Sequence, residues 1–592
     1  MSPHLSTPAL ATPAQATSEQ ATQEPQPRYP LWQRLCSGWS RDQLLQLLLL
    51  LLGIALLTGG LLLPLLTMLQ KSLQDENGLW VGLANVKAYF DSPHLGQTLG
   101  NTLWLGVLIT TLVVTIAFGY AYALTRTCMP GKSLFRLVGL IPLLMPSLLP
   151  AISLVYWFGN QGIAKGLLGG ESIYGPIGIV IGLGFWCFPH ALMILITALG
   201  QSDARLYEAA RVLGSSGWRT FVTVTLPTAR YGLLSAAIAV FTLTICDFGV
   251  AKVIGGQYSV LATDIYRQVI GMQNFSLGAV ASVTLLLPAL LSFALEHRVR
   301  SKMQEQSSTK AVPYSPKPHR VRDLLALGWC TLWALLFLAL VGMAVYGSLV
   351  QFWPYNLGLT LDHYAFDSNS VYGWQPFTNT LQLGLYTALV GTVLVMVLAW
   401  AQEKGRHFAW LRQLLHLLAM LSLAVPGMVL GLGYIFFFNG NPLFGSLYGT
   451  LYGTLPLMVL SCVIHYYTVG HMTALTSLKQ LPKELELVAI SLRIPLWKAF
   501  WRVTLPASLP ALLEIFIYLF VNAMTTTSAV IFLYSSDSVL ASIAVLNMED
   551  SGDTAAAAAM ATLILLAAAT VKLLQLFLSR ALLDRTQRWR HQ

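Results

Sequence analysis

A polar, mixed-charge stretch from Ser202 to Pro227 interrupts a chain that is otherwise largely apolar, and the stretch recurs. Trp218, Phe221 and the run Val224, Thr225, Leu226, Pro227 reappear as Trp497, Phe500 and Val503, Thr504, Leu505, Pro506, at a constant offset of 279. Ala210 falls opposite Ala489 by the same shift. A single cassette of this kind is a loop. Two, each followed by an apolar run, mark a duplicated membrane unit, because self-similarity at a fixed period means a repeated structural piece.

The first copy reads as a short helix, a Gly turn and a second helix. Ser202 or Asp203 suits the helix cap, and Glu208 lies inside the helix. Ala209, Ala210 and Leu213 share a small-residue face that another protein can approach closely. Gly214 suits the left-handed residue that follows a helix end. The second copy departs from this pattern. Leu487 and Val488 stand opposite Glu208 and Ala209, Glu486 is displaced by one place, and Arg493 replaces the glycine. There Pro495 is expected to make the turn, since it disfavours helix at Ile494.

The repeat runs beyond the cassette. Asn101, Thr102, Leu103 and Gly106 recur as Asn379, Thr380, Leu381 and Gly384. Pro146 recurs as Pro426, and Ser259 to Ala262 recur as Ser538 to Ala541. Apolar runs near the roughly 20 residues that a bilayer requires give twelve expected spans. They are 44–69, 102–125, 134–158, 174–199, 229–254 and 277–296, then 323–349, 380–401, 410–438, 451–474, 507–533 and 555–579. Six spans per half give both halves the same orientation, a parallel repeat. The expected plan is an all-α membrane protein. It has a disordered tail at 1–43, a first unit at 44–296 with its core at 95–295, and a basic linker at 297–322. A second unit follows at 323–580, with its core at 375–575, and a short tail at 581–592. The 1–43 tail is rich in Pro, Ser, Thr and Gln, and no signal peptide opens the chain.

Composition agrees: 55% of residues are hydrophobic and 10% charged, which is the membrane class. A net charge of +10 would suggest nucleic acid in a soluble protein. Here the basic residues flank the spans, and the loops 351–378, 439–450 and 534–554 hold no Lys or Arg. The positive-inside rule then puts both termini, the linker and both cassettes in the cytoplasm. The six cysteines are scattered singly, without a CxxC pair, and read as small buried apolar residues rather than as a disulfide framework or zinc site.

The paired cassettes resemble the EAA loop of bacterial ABC importer permeases, the binding-protein-dependent transport family. The resemblance implies two tandem six-helix permease units, about twelve transmembrane helices, in the bacterial inner membrane. It implies that the cassettes are cytoplasmic coupling helices that dock in a groove of an ATPase. The implied coupling residues are Glu208, Ala209, Ala210 and Gly214 in the first copy and Glu486 and Ala489 in the second. No phosphate-binding Gly-Lys loop is present, so ATP hydrolysis is expected in a separate ATPase, in two copies, with a periplasmic binding protein delivering a small solute. No cofactor and no nucleic acid are expected. Two stretches, LATDIYRQVIGMQNFSLGAV and NAMTTTSAVIFLYSSDSVLASIAVLNMEDSGD, resemble permeases for 2-aminoethylphosphonate, with ferric iron and then thiamine as alternatives.

Asp247 is the most informative acid within a span, and an intramembrane acid is a functional candidate by default. It lies about 27 Å along the fifth span, near the outer face. It can line the path, or be a solvated or capping group. Thr526 is its mate by the repeat offset, and Asn522, Thr525 and Thr526 make that stretch unusually polar. They either line the same path or pack helices together. His190, His465 and His471 are alone or six apart, off the spacing of a helical metal site. An ion-coupled secondary transporter is the alternative class, but such a carrier needs buried ionisable residues that these spans scarcely offer. A membrane enzyme would need a convergent nucleophile, base or metal set, and none stands out. Pro146, Pro150, Pro189 and Pro426 are expected to kink or break their helices.

Overall fold

A computed structural model describes residues 40–306, 312, 314–405, 407–439, 451–482, 484, 488, 491–492 and 494–586. In the first half the main helices are α1 (Arg41–Ser72), α2 (Pro93–Arg126), α3 (Lys132–Leu144), α4 (Leu148–Phe158) and α5 (Pro176–Gly200). They are followed by α6 (Ala204–Val212), α7 (Gly217–Cys246), α8 (Gly249–Ile254), α9 (Leu261–Tyr266) and α10 (Phe275–Gln306). The second half holds α11 (Arg320–Leu349), α12 (Gln375–Glu403), α13 (Ala409–Ala424), α14 (Gly427–Asn439) and α15 (Leu455–His465). Then come α16 (Tyr467–Gln480), α17 (Leu496–Ala507), α18 (Leu509–Thr525), α19 (Ala541–Asp550) and α20 (Thr554–Thr586). A two-stranded hairpin, Val350–Phe352 with Asn356–Leu359, follows α11.

Among the described residues eight helices are long and apolar enough to cross a membrane unbroken, and four bent pairs bring the number to twelve if each pair is one span. Large apolar side chains such as Leu48, Leu52, Val107, Leu291, Leu335 and Val393 are exposed along these helices, as expected of a lipid-facing surface. The third expected span of each half is broken alike: α3 and α4 meet at 103°, and α13 and α14 at 107°. Met145 and Val425 are extended because each precedes a proline, Pro146 or Pro426. Pro189 does not break its helix, contrary to expectation, and α5 continues through it. Pro150 lies in the first turn of α4, where a missing N–H costs nothing.

Other boundaries shift as well. The fifth expected span, 229–254, ends at Cys246 and resumes as α8. Its counterpart, 507–533, ends at Thr525 and continues in turns. The expected tail 1–43 becomes helical at Arg41, where Ser40 and Gln43 form a capping box. Helix α10 extends into the expected linker as far as Gln306, and α20 runs to Thr586. Residues 1–39 and 587–592 of the expected tails lie outside the described residues.

Within each half a core forms from α2, α5, α7 and α10, or from α12, α16, α18 and α20. The first helix of each half touches its own core, α1 on α10 and α11 on α20, and also reaches the other half. α1 lies against α12, α13 and α14, and α11 lies against α2, α3 and α4. Tyr434 Oη donates to the Gly60 carbonyl at 2.7 Å, and Ser153 Oγ donates to the Leu340 carbonyl at 2.6 Å. The Gln46 amide, 3% exposed, donates to the His407 carbonyl at 3.0 Å and accepts from the His407 N–H at 3.3 Å.

The repeated sequence fragments prove to be one another's partners. Asn101 Nδ2 donates to the Ser259 carbonyl at 3.0 Å, and Thr102 Oγ1 accepts from the Leu261 N–H at 2.9 Å. In the second half Asn379 Nδ2 donates to the Val539 carbonyl at 3.0 Å, and Thr380 Oγ1 accepts from the Ala541 N–H at 2.7 Å. Gly106 lies beneath the Phe241 ring and Gly384 beneath Phe520, two phenylalanines 279 apart. An Asn-Thr pair on one helix thus pins the loop before α9 or α19, and a glycine one turn on admits an aromatic ring.

Candidate functional site

Two regions answer to the expected sites: the polar cassettes, and the junction where Asp247 and its mate end their helices. In the first cassette Asp203 is the cap, with its Oδ1 accepting from the Arg205 N–H at 3.0 Å. The helix closes as expected. Gly214 adopts φ +70°, and the Ser215 N–H reaches back to the Ala210 carbonyl at 3.0 Å. Ser216 then caps α7 through the Arg219 N–H at 3.3 Å.

The outward face of α6 differs from the expected one. Ala210 is turned inward and buried, while Leu206, Glu208, Ala209, Val212 and Leu213 point outward. Val212 is 87% exposed and Leu213 83%, high values for apolar side chains that no lipid-length helix carries. Tyr207, on the inward side, donates its hydroxyl to Thr225 Oγ1 at 3.3 Å. The repeated Trp and Phe divide the work. Phe221 packs edge-on against Phe118 and Tyr122 of α2, while Trp218 stacks on it and remains 74% exposed. Phe500 packs on Trp400 of α12, the position equivalent to Tyr122, and Trp497 is again exposed.

The second cassette is capped differently. Pro495 stands just outside α17, and Ile494 is not helical, as the proline requires. The Leu496 N–H is met at 3.1 Å by Asp42 Oδ2, from the start of α1. A carboxylate at a helix N-terminus is electrostatically favoured, and here it comes from the opposite end of the chain. Glu486 and Ala489 lie outside the described residues.

Asp247 is buried, at 8% exposure, where α7 ends. Its Oδ2 accepts from the Val250 N–H at 3.0 Å, and its carboxylate also accepts from the Ser147 hydroxyl. With Thr102, Thr244 and Val260 it lines a cavity of about 10 Å³, room for one water at most. Thr526 occupies the matching end of α18, and its carbonyl accepts from Ser542 Oγ at 2.7 Å. Asn522 and Thr525 bond to carbonyls within their own helix, at Tyr518 and Val521. Asp247, Asn522 and Thr525 thus bond through their side chains inside their own halves, whereas the buried Thr526 hydroxyl has no hydrogen-bond partner among the described residues.

The two junctions share a Ser–Gly contact with the residues exchanged. In the first half a Cβ on Gly249 would overlap the Ser147 hydroxyl; in the second, a Cβ on Gly427 would lie 2.6 Å from Ser528 Oγ. Gly249 and Ser528 are equivalent positions, as are Ser147 and Gly427. The halves meet on the same side through Lys252 of α8 and Asp550 of α19, at 2.9 Å, and through stacked Tyr266 and Phe532. Nothing in the periodicity singled these four out, since an ion pair between distant loops leaves no spacing signal. His190 tilts against Trp186, His465 packs edge-on against Tyr466, and His471 stacks on Tyr467 and bonds Gln402; the three are not brought together. Among the described residues no group of three His, Cys, Asp or Glu side chains forms a metal site.

The family model described as binding-protein-dependent transport system inner membrane component matches the chain twice, over residues 115–305 and 391–584. A ferric transport system permease protein FbpB from Actinobacillus pleuropneumoniae is 27% identical over 494 residues, covering 80% of this chain and 69% of the relative. A putative ferric transport system permease protein FbpB 1 from Haemophilus influenzae is 28% identical over 464 residues, covering 75% and 71%. The sulfate transport system permease protein CysW of Escherichia coli is 25% identical over 224 residues, covering 35% and 77%.

Proposed function

Because this chain belongs to the binding-protein-dependent transport system inner membrane component family and carries its unit twice, it is the fused permease of an ABC importer, and we propose that its cargo is ferric iron. It is not an enzyme: a separate ATPase hydrolyses ATP, and the family implies a periplasmic binding protein that supplies the solute. The observation that carries the iron reading is the match to two ferric permeases over about 70% of their length. These relatives favour ferric iron over 2-aminoethylphosphonate. The first stretch behind the phosphonate preference opens at Leu261, whose N–H Thr102 holds, and the second contains Ser538–Ala541, held by Asn379 and Thr380. Those residues therefore have a part in building each unit.

The proposed ATPase seat on the first unit is the outer edge of α6, with Glu208, Ala209, Val212 and Leu213 exposed and Gly214 ending the helix. Buried Ala210 lets α6 lie close to its own unit. In the second unit the proposed coupling residues are Glu486, one place from the position opposite Glu208, and Ala489, opposite Ala210. Two seats suit two ATPase copies, and the charge of the loops favours a cytoplasmic side for both seats and both termini. Asp247 and Thr526 are proposed to hold open the helix breaks beside the path, and Asn522 and Thr525 to line its polar wall. The test is uptake by liposomes holding the permease and its ATPase. Ferric iron on the binding protein should enter only with ATP. Import of 2-aminoethylphosphonate and not of iron would overturn the substrate.

A further inference from the structure

The end of the segment between the two units lies against the first coupling helix. The Ala204 N–H, at the start of α6, donates to the Val312 carbonyl at 2.9 Å, and the Val312 N–H donates to Asp203 Oδ1 at 3.4 Å. Asp203 therefore serves two backbone donors, one in its own helix and one in the segment. Two residues on, the Tyr314 ring lies 4.5 Å from that of Tyr207, the buried tyrosine of α6. Arg126, the last residue of α2, sits against both rings, with its guanidinium carbon 4.8 Å from the Tyr207 centroid and 4.5 Å from that of Tyr314. Arg126 is 3% exposed and donates to the Leu199 carbonyl at 2.6 Å, while its Nε has no acceptor among the described residues. A guanidinium so far from water depends on the faces of the rings beside it, and this attraction strengthens as the charge is desolvated.

The segment is also fixed at its far side. Cys128 Sγ donates to the Pro316 carbonyl at 3.2 Å, and the Cys128 N–H donates to Asp323 Oδ1 at 3.1 Å, in the first turn of α11. A continuous set of contacts thus runs from α6 through Tyr314 and Pro316 to the helix that opens the second unit. Among the described residues the second unit shows no copy of this arrangement. Lys404 and Glu486 stand at the positions equivalent to Arg126 and Tyr207, and the tether of the second cassette is Asp42.

We infer that Tyr314 and Arg126 are positioning residues for ATPase coupling, and that the segment between the units is a strap holding α6 at the angle the ATPase meets. This rests on the reading of α6 as the ATPase seat. A helix of nine residues does not hold its own orientation in water. α6 has an aromatic seat beneath it and a backbone bond at its start, and both reach residues that precede α11.

The test uses the full chain in lipid nanodiscs, with the partner ATPase and Mg-ATP as probe. Hydrogen exchange of the 204–212 amides reports the angle and fraying of α6, and titration with the ATPase reports docking. Tyr314→Ala should raise exchange at Ala204 and along α6 at least tenfold and weaken ATPase association several-fold. Tyr314→Phe keeps the ring and should match the parent in both. Leu213→Asp should remove ATPase association and leave α6 exchange as in the parent. If Tyr314→Ala exchanges like the parent, or Tyr314→Phe fails as Ala does, the strap is overturned. If Leu213→Asp still binds the ATPase, the docking reading falls, and the exchange result for Tyr314 still decides whether the strap exists.

Discussion

At the scale of single residues, the two halves keep contacts rather than identities. Ser147 against Gly249 became Gly427 against Ser528. A hydroxyl-bearing side chain and a hydrogen fit together at each junction, and which helix carries which is free. Gly249→Ala should therefore destabilise the protein by about 1–3 kcal/mol, the usual cost of overpacking a filled site. Adding Ser147→Gly should restore only part of it, because the clash with the hydroxyl disappears together with the bond that hydroxyl makes to Asp247. Thermal unfolding of the two variants checks this, and a double variant no better than the single would refute it. These contacts were not legible in the sequence. The offset aligned Gly249 with Ser528, but only the fold shows that each faces the residue that compensates it. Asp247 was legible as a residue of consequence and ambiguous as to which consequence. Its depth along the chain fitted both readings, and the Val250 N–H and Ser147 hydroxyl are what place it at a helix break.

At the scale of elements, prolines and glycines read well where they ended helices and poorly inside them. Gly214 took the left-handed turn expected of it, and Pro146 and Pro426 broke their spans alike. Pro189 did not, because packing of α5 among its neighbours outweighs one lost backbone bond. The face of α6 was misread in part. The spacing put Ala209 and Ala210 together, but Tyr207 anchors the helix inward and turns Ala210 with it. For Gly214, replacement by Ala places a Cβ in the left-handed region, at a cost of about 1–2 kcal/mol. The end of α6 should fray, and the Ser215 amide, now bonded to the Ala210 carbonyl, should lose its protection from exchange. Unchanged protection at Ser215 would show that the turn tolerates a side chain.

At the scale of the whole molecule, the first helices bridge the halves: α1 packs on α12, α13 and α14 of the other half as well as on α10 of its own, and α11 packs on α2, α3 and α4 as well as on α20. Apolar runs announce how many helices there are, and their lengths announce spans, but neither says that a helix of one unit also packs on the other. Cutting the chain between Ser307 and Ser308 tests this arrangement. The two pieces, made together, should co-purify, since each supplies a helix that the other lacks. Either piece made alone should accumulate several-fold less, as an incompletely packed protein does. Equal accumulation of the lone pieces would mean that the crossing contributes little. The crossing also has a cost in time. Gln46 is made early, and its partner His407 follows 361 residues later. At about 5–20 residues per second, α1 waits about 20–70 s with its amide unmatched before the residues that receive it exist. During that interval the first turns of α1 lack the helices α12 and α13 on which they come to rest, and an insertase or a membrane protease would meet them there.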